Sequence, residues 1–412
     1  MSAGWLRDLR VVDLTEGIAG AYATKLLADA GAAVTLVEPA DGHPLRRWSA
    51  SGSPTGDAGP LFRFLSAGKG SVLLDGAAEV LATADLVVTG ADRPDGISER
   101  ATVVHVTPYG TTGPWAGRPA TDFVVQAESG ATAFRGLREH PPVAAGGRLG
   151  EWLTGAYTAV AALAAGPGER VEVTELEAMT LAGSLFLDLM WSLIGVEPEG
   201  PARSVEVPSI EPTLDGWVGF NTNTRQQLDD FLVMVERPDL LGDERFTSVA
   251  ARIAHLDEWN ELVRAWTTRH TTDDIVELAA ALRIPVAPVL SGKDVGDIDH
   301  FAERGVFVTD ATGSFRAPRS PYALDGVRAD TTRPAPAVGA GPPPFRAPAP
   351  AVGSGMAGPE REAAGRLPLA GLRVIDATAW WAGPEAGRIL ALLGADVLHL
   401  EATRAPDGMR MA

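Results

Sequence analysis

Residues 6–47 of this chain are written a second time at residues 369–410, without a gap and at a constant offset of 363 positions. The first copy reads LRDLRVVDLTEGIAGAYATKLLADAGAAVTLVEPADGHPLRR and the second LAGLRVIDATAWWAGPEAGRILALLGADVLHLEATRAPDGMR, with 16 identities over 42 positions. Both run apolar strand, glycine-containing turn, helix, apolar strand. A solenoid needs at least three units of roughly 20 to 50 residues. A period of 363 is instead the size of a whole folded unit. The expected organisation is one full unit, a connecting segment, and the opening βαβ element of a second copy.

The pattern continues beyond the repeat. Residues 10–14 and 33–37 are apolar runs flanking a helical stretch at 21–30, and further short apolar runs occupy 71–74, 86–89, 103–106 and 170–173. Apolar strands separated by crossovers predict a parallel sheet covered by helices on both faces, an α/β fold with an open Rossmann-like sheet. Residues 152–165 (WLTGAYTAVAALAA) and 176–194 predict buried helices of that large domain, which is placed at 1–200. After a Pro/Gly stretch at 195–209 the helices become amphipathic and charged, which predicts a smaller α+β domain at 210–312. Residues 313–340 would return to the large domain. Proline, alanine and glycine then dominate 341–366, a composition that cannot bury enough apolar surface to offset its ordering entropy, so this is read as a linker before the partial second unit at 367–412.

Composition excludes several function classes. The formal net charge is −18 and no Lys/Arg cluster occurs, which argues against a phosphate-backbone partner. No apolar run reaches the roughly 18 residues needed to cross a bilayer, and the first residues lack a basic segment followed by an apolar one, so a cytoplasmic protein is expected. With no cysteine, disulfides, thiolate catalysis and Cys-bound zinc are out of reach. The seven histidines show no metal-ligand spacing, so no metal site is expected.

Several segments, in order, resemble the family III CoA-transferases (CaiB/BaiF), the group that includes formyl-CoA transferase and α-methylacyl-CoA racemase. They are Asp13 to Pro39 with its Asp-Leu-Thr, Ala-Gly and Val-Glu-Pro; FLSAGKGSVLLD at 64–75; YGTTGP at 109–114 with Asp122 and Gln126; and LGEWLTG at 149–155. In the smaller domain they are TLDG at 213–216, RPDL at 237–240 and PVAPV at 285–289. The resemblance covers about residues 5 to 340. It implies an open Rossmann-like domain plus a small domain, two units interlocked as a homodimer or pseudo-dimer, acyl-CoA and carboxylic acids as substrates, and no permanently bound cofactor.

It also implies a nucleophile. The family carries a catalytic aspartate where this chain has Glu151. A carboxylate there can attack an acyl-CoA and then carry CoA as a protein thioester, although one extra methylene changes reach, and a misplacement of about 1 Å can cost a hundredfold in rate. The plain alternative is that Glu151 only complements the positive end of the helix it opens. For the phosphates of CoA, position favours Arg46 and Lys69, then Arg47 and Arg118. The turn with Gly17, Ile18 and Ala19, and the strand end at Gly90 and Ala91, fall where open α/β sheets bind ligands, at the carboxyl ends of parallel strands. Residues 205–213 (VEVPSIEPT) lack the glycine run that often covers the acyl site in the family.

Two other readings compete. Racemase relatives place a histidine at the position of Thr121, and a threonine cannot exchange an α-proton near neutral pH, so racemase or epimerase chemistry ranks second. The third is a non-catalytic CoA-binding half of a two-unit protein, suggested by the truncated repeat.

Overall fold

In the computed structural model, which describes residues 5–53, 56–92, 95–133, 135–137, 139–184, 192, 207–222, 224–323, 326–328, 333–345, 367–403 and 407, the first copy of the repeat becomes β1 (Arg10–Asp13), α1 (Ile18–Asp29) and β2 (Ala33–Glu38). There follow α2 (Pro60–Leu65), β3 (Gly70–Leu73), α3 (Ala78–Thr83), β4 (Leu86–Thr89), β5 (Thr102–Thr107), α4 (Asp122–Glu128), α5 (Leu149–Ala164), β6 (Arg170–Thr174) and α6 (Glu175–Met179). The predicted helix at 176–194 lies largely outside the described residues. The chain divides into two compact units, one of Met1–Ser129, Ala145–Ala182 and Glu303–Ala412, the other of Gly130–Ala144 and Gly183–Ala302. Residues 303–312, expected in the smaller domain, therefore group with the larger unit, and 130–144 group with the smaller one.

The larger unit is built on a six-stranded sheet in the order β3-β2-β1-β4-β5-β6, with every pairing parallel. Strand alternation explains its two covered faces. Val11, Val34, Leu86, Val88 and Val104 pack with Leu27 and Ala28 of α1 and Ala162 of α5. Their neighbours Val12, Val37, Val87 and Val103 point the other way, onto Leu81 of α3, Ile97 and Ala101. Strand order reverses between β1 and β4, so the crevice beyond the carboxyl ends of those two strands is the natural ligand site of such a sheet.

Small residues bring α1 and α5 together. A Cβ on Gly155 would lie 2.6 Å from the Ala19 carbonyl oxygen and 3.1 Å from Tyr22 Cβ, so glycine is required for this approach. Thr154 and Thr158, both buried, donate their hydroxyls to the carbonyls of Gly150 and Thr154 at 2.7 Å. That leaves no unpaired hydroxyl in the contact. Tyr22 and Trp152 meet edge to face with ring centroids 4.7 Å apart.

Charge is also buried at the base of the sheet crevice. Asp13, at the end of β1, accepts from Thr15 Oγ1 at 2.7 Å and Thr24 Oγ1 at 2.5 Å, and Lys69 Nζ lies 3.3 Å from its Oδ2. Burial alone would push the Asp13 carboxyl up, but Lys69 and the two hydroxyls outweigh it and hold it below the usual range.

The smaller unit has an antiparallel sheet of β7 (Ile210–Pro212), β8 (Trp217–Phe220) and β9 (Val286–Pro288), with α7 (Arg225–Met234), α8 (Val249–Ala254), α9 (Leu256–Thr267) and α10 (Thr272–Ala281) between the second and third strands. Its core gathers Val218, Phe220, Phe231, Phe246, Trp259, Val263 and Ile275. After α11 (Asp299–Glu303), a hairpin of β10 (Phe307–Thr309) and β11 (Arg316–Pro318) belongs to the larger unit.

The second copy folds as β12 (Arg373–Asp376), α12 (Ala382–Leu392) and β13 (Asp396–His399). Arg373 pairs with Asp396 and Val374 with Val397, the register of Arg10 with Ala33 and Val11 with Val34 shifted by the repeat offset. The element closes a two-stranded parallel sheet, leaving Ile375 69% and Leu398 59% exposed. Among the described residues no helix is long and apolar enough to cross a membrane.

Replacing one partner of a buried ion pair strands the other. Lys69→Met is expected to lower stability by about 3–5 kcal/mol in urea unfolding, and the double change Lys69→Met with Asp13→Leu to recover much of that loss. Equal stability of the single variant and the parent would show that the pair contributes no such constraint.

Candidate functional site

Glu151 lies in the first turn of α5, behind a sharp entry. Arg148, the residue before the helix, has φ 59° and ψ 47°, a left-handed conformation that costs a non-glycine residue roughly 1–2 kcal/mol. Gly147 just before it also has positive φ. This turn directs α5 at the start of α1. There Glu151 Oε2 accepts from the Ile18 amide at 2.9 Å, and Oε1 pairs with the Arg148 guanidinium. The carboxylate is thus held between the positive ends of two helices. Its side chain is 8% exposed while that of Arg148 is 38% exposed, so the guanidinium lies on the solvent side of the pair and the carboxylate on the inner side. Burial pushes the Glu151 carboxyl up. Arg148 and the Ile18 amide oppose this and nearby Asp122 reinforces it, so the net direction is upward.

Two further acids stand behind Glu151. Asp122, first residue of α4, accepts from the Gly150 amide at 2.8 Å through Oδ1 and from Gln126 Nε2 at 2.7 Å through Oδ2. Gln126 in turn bridges both backbone groups of Ala145, tying the glycine-rich entry of α5 to α4. Thr121 caps α4 by accepting from the Val124 amide. Glu175 opens α6 and is buried. Its burial, with Glu151 and Asp122 nearby and only Arg148 opposing, raises its carboxyl to about 8.

The residues chosen from sequence scatter into three groups. Gly17, Ile18 and Ala19 lie at the carboxyl end of β1, where Ile18 touches Glu151, and Gly90 and Ala91 follow β4 on the other side of the strand-order reversal. The Gly90 carbonyl lies 2.9 Å from His105 Nδ1. Arg47 and Arg118 are at the surface. Arg47 holds the carbonyl and carboxylate of Asp41, while Arg118 pairs with Glu128 at 2.6 Å and lies over the rings of Tyr109 and Trp115.

Arg46 and Lys69 require correction as phosphate ligands. Arg46 is 4% exposed and makes a two-bond fork with Glu38 at 2.6 Å, with a further bond to the Pro336 carbonyl. Lys69 Nζ faces Asp13, Thr24 Oγ1 and the Ala21 carbonyl, and its side chain has no exposed area. A cation enclosed among such acceptors offers nothing to a solvent-borne phosphate. Sequence reasoning missed Arg148 and Glu175 and gave Asp122 no role beyond a motif match. The glycine pair at 146–147 was the available signal for an unusual turn at Arg148.

Known proteins resemble this chain in sequence and in fold. The family model described as CoA-transferase family III matches residues 6–341 and, separately, 369–412, so both copies of the repeat carry its signature. A probable CoA-transferase of Mycobacterium tuberculosis is 28% identical over 97% of this chain and 54% of its own length; this chain thus spans about half of that relative. A succinyl-CoA–D-citramalate CoA-transferase of Chloroflexus aurantiacus is 27% identical over 73% of this chain and 82% of its own. Among solved structures, a hypothetical protein of Mycobacterium tuberculosis superposes with TM-score 0.69 at 26% identity, covering 82% of this chain and 98% of that one. A CaiB/BaiF family protein from Brucella suis gives TM-score 0.69 at 22% identity over 82% and 97%, a likeness of fold. The family match over residues 6–341 and 369–412 places this chain in the CoA-transferase family III.

Proposed function

We propose that this chain moves coenzyme A between an acyl-CoA and a carboxylic acid, with Glu151 as the covalent carboxylate. The observation that carries this reading is the position of Glu151, held by the Ile18 amide beside the point where strand order reverses. Relatives named for transfer from succinyl-CoA to D-citramalate or between succinate and glutarate support the reaction class and make dicarboxylic acids the first acceptors to screen.

Glu151 would attack the acyl-CoA carbonyl, forming a mixed anhydride as the CoA thiolate leaves. The thiolate would then attack the glutamyl carbonyl, releasing the donor acid and leaving CoA as a glutamyl thioester. The acceptor carboxylate reverses both steps, with no net proton transferred. The Ile18 amide, already donating to Oε2, would polarise the glutamyl carbonyl and hold the oxyanion formed when it is attacked. Arg148 favours the anionic form of Glu151 and, being partly exposed, can swing off when the acyl group arrives. The extra methylene relative to the family's aspartate would be taken up by the first turn of α5. Pairing with a second family III unit, in the same or another chain, is part of the proposal.

The contacts that favour catalysis would equally suit a structural glutamate in a non-catalytic CoA-binding half, so covalent trapping decides between the two. Incubation with acyl-CoA and hydroxylamine should yield Glu151 hydroxamate by mass spectrometry, and Glu151→Gln should lose transfer by on the order of a thousandfold or more while keeping its circular dichroism. Turnover with an unmodified Glu151 would refute the assignment. The racemase reading draws no support from Thr121, whose hydroxyl is a helix cap; α-proton exchange with deuterated solvent in the absence of an acceptor acid would revive it.

A pH dependence follows with a definite sign. Arg148 lowers the Glu151 carboxyl against the upward push of burial, so its removal raises that carboxyl further. Arg148→Gln should therefore move the acidic limb of kcat/KM upward. A limb that stays in place would show that Arg148 does not control the charge of Glu151.

A further inference from the structure

Glu175 is a charged residue type in a place built for a neutral one. It is 8% exposed, and its Oε1 has no hydrogen-bond partner although it is buried. Such an orphaned oxygen is rare and asks for a reason. That oxygen points to the entry of α5: a Cβ on Gly150 would meet Asp122 Oδ1 at 2.8 Å, Glu175 Oε1 at 2.9 Å and Met179 Cγ at 3.0 Å. Glycine at 150 thus leaves two acids facing one another across the residue that precedes Glu151.

The charges around Glu175 come from each element packed on α6. Asp122 is on α4, Glu151 on α5 and Arg148 at the turn before α5. The Tyr109 hydroxyl, from the loop after β5, also senses Glu175 and is engaged with Glu128. On β6, Glu172 is engaged by Thr111, and on α6 itself Glu177 is bonded to Thr174. Three carboxyls therefore share one guanidinium, which is spent on Glu151. Asp122 is anchored by an amide and a carboxamide, and Glu151 by an amide and Arg148. Glu175 has the weakest claim to a negative charge, and like charges at close quarters leave one member of such a set protonated.

We propose that Glu175 is a positioning residue for Glu151, a neutral carboxylic acid that leaves Asp122 and Glu151 in place as acceptors of the Gly150 and Ile18 amides. Its ionisation adds negative charge at the helix junction and drives those two side chains off the amides that aim Glu151. The junction then loses its geometry on the alkaline side, while its acidic side is untouched because Glu175 is neutral there in any case. This inference rests on the transfer reading for its kinetic consequence but not for its titration.

The test uses the full chain with glutamate labelled at the side-chain carboxyl carbon with 13C, and Glu175→Gln and Glu175→Leu as variants. In the parent, one carboxyl resonance should titrate near pH 8 and vanish in both variants, with the Ile18 and Gly150 amide resonances shifting over the same range in the parent alone. Transfer should decline above about pH 8 in the parent, and both variants should lose that alkaline limb while keeping the acidic one. A Glu175 resonance titrating in the ordinary glutamate range, or amide shifts that persist in Glu175→Gln, overturns the proposal. A protein that shows the titration without any transfer defeats the CoA-transferase reading and leaves this one standing.

Discussion

The approach of α5 to α1 through Gly155 is the constraint on which the site depends. With the Gly155 Cα against the Ala19 carbonyl, the first turns of both helices converge, and a glutamate in one turn can reach an amide in the other. A Cβ there would press into main chain rather than into the end of a flexible side chain, so the helices themselves would have to separate. The threonines on the same face of α5 bond their hydroxyls back to their own helix, which lets a polar stripe pack as tightly as an apolar one. A backbone contact, rather than a side-chain network, thus sets the distance between Glu151 and Ile18.

Buried charge follows a similar economy. An acidic chain of this kind has few cations to place, and two of those nearest the crevice are used inside the protein. Lys69 faces Asp13 at the end of β1, and Arg46 forks onto Glu38 at the end of β2. Both acids terminate central strands, where the crevice would otherwise be lined by exposed carboxylates repelling an anionic ligand. Enclosed pairs remove that repulsion without presenting a cation of their own.

The layered architecture was legible because it is local. The apolar runs, the glycine turn and the offset of the repeat determine β1, α1 and β2, and the register of the second copy repeats that of the first residue for residue. Glu151 was legible through its motif and its place at a helix start. Arg148 was not, since only its backbone conformation places the guanidinium on Glu151. Glu175 was hidden more deeply: it meets Asp122 and Glu151 only once α4, α5 and α6 have packed, and spacing along the chain carries no record of that. Arg46 and Lys69 misled because basic residues near a crevice suggest anion binding, whereas burial decides whether a cation faces ligand or protein.

The two copies of the opening element show which features belong to folding and which to the site. Gly20 and Gly383 both lie against the threonine of the turn, where a Cβ would come within 2.1 and 2.0 Å of Thr15 and Thr378 Oγ1. Asp376 accepts from Thr378 as Asp13 does from Thr15. These contacts form the turn and are kept. The partner of the acid differs, because Asp376 lies 3.0 Å from His399 Nδ1 on the paired strand, whereas Asp13 draws on Lys69 from a later segment. The positions of Gly17 and Ile18 are occupied by Trp380 and Trp381, and the Trp380 amide, at φ 69°, donates to Asp407 at 2.9 Å. The residues at the start of the helix thus differ in the second copy even though its strands and helix persist. What the two copies keep in common is the threonine, the later glycine packed on it and the acid at the strand end, the contacts that form the turn itself.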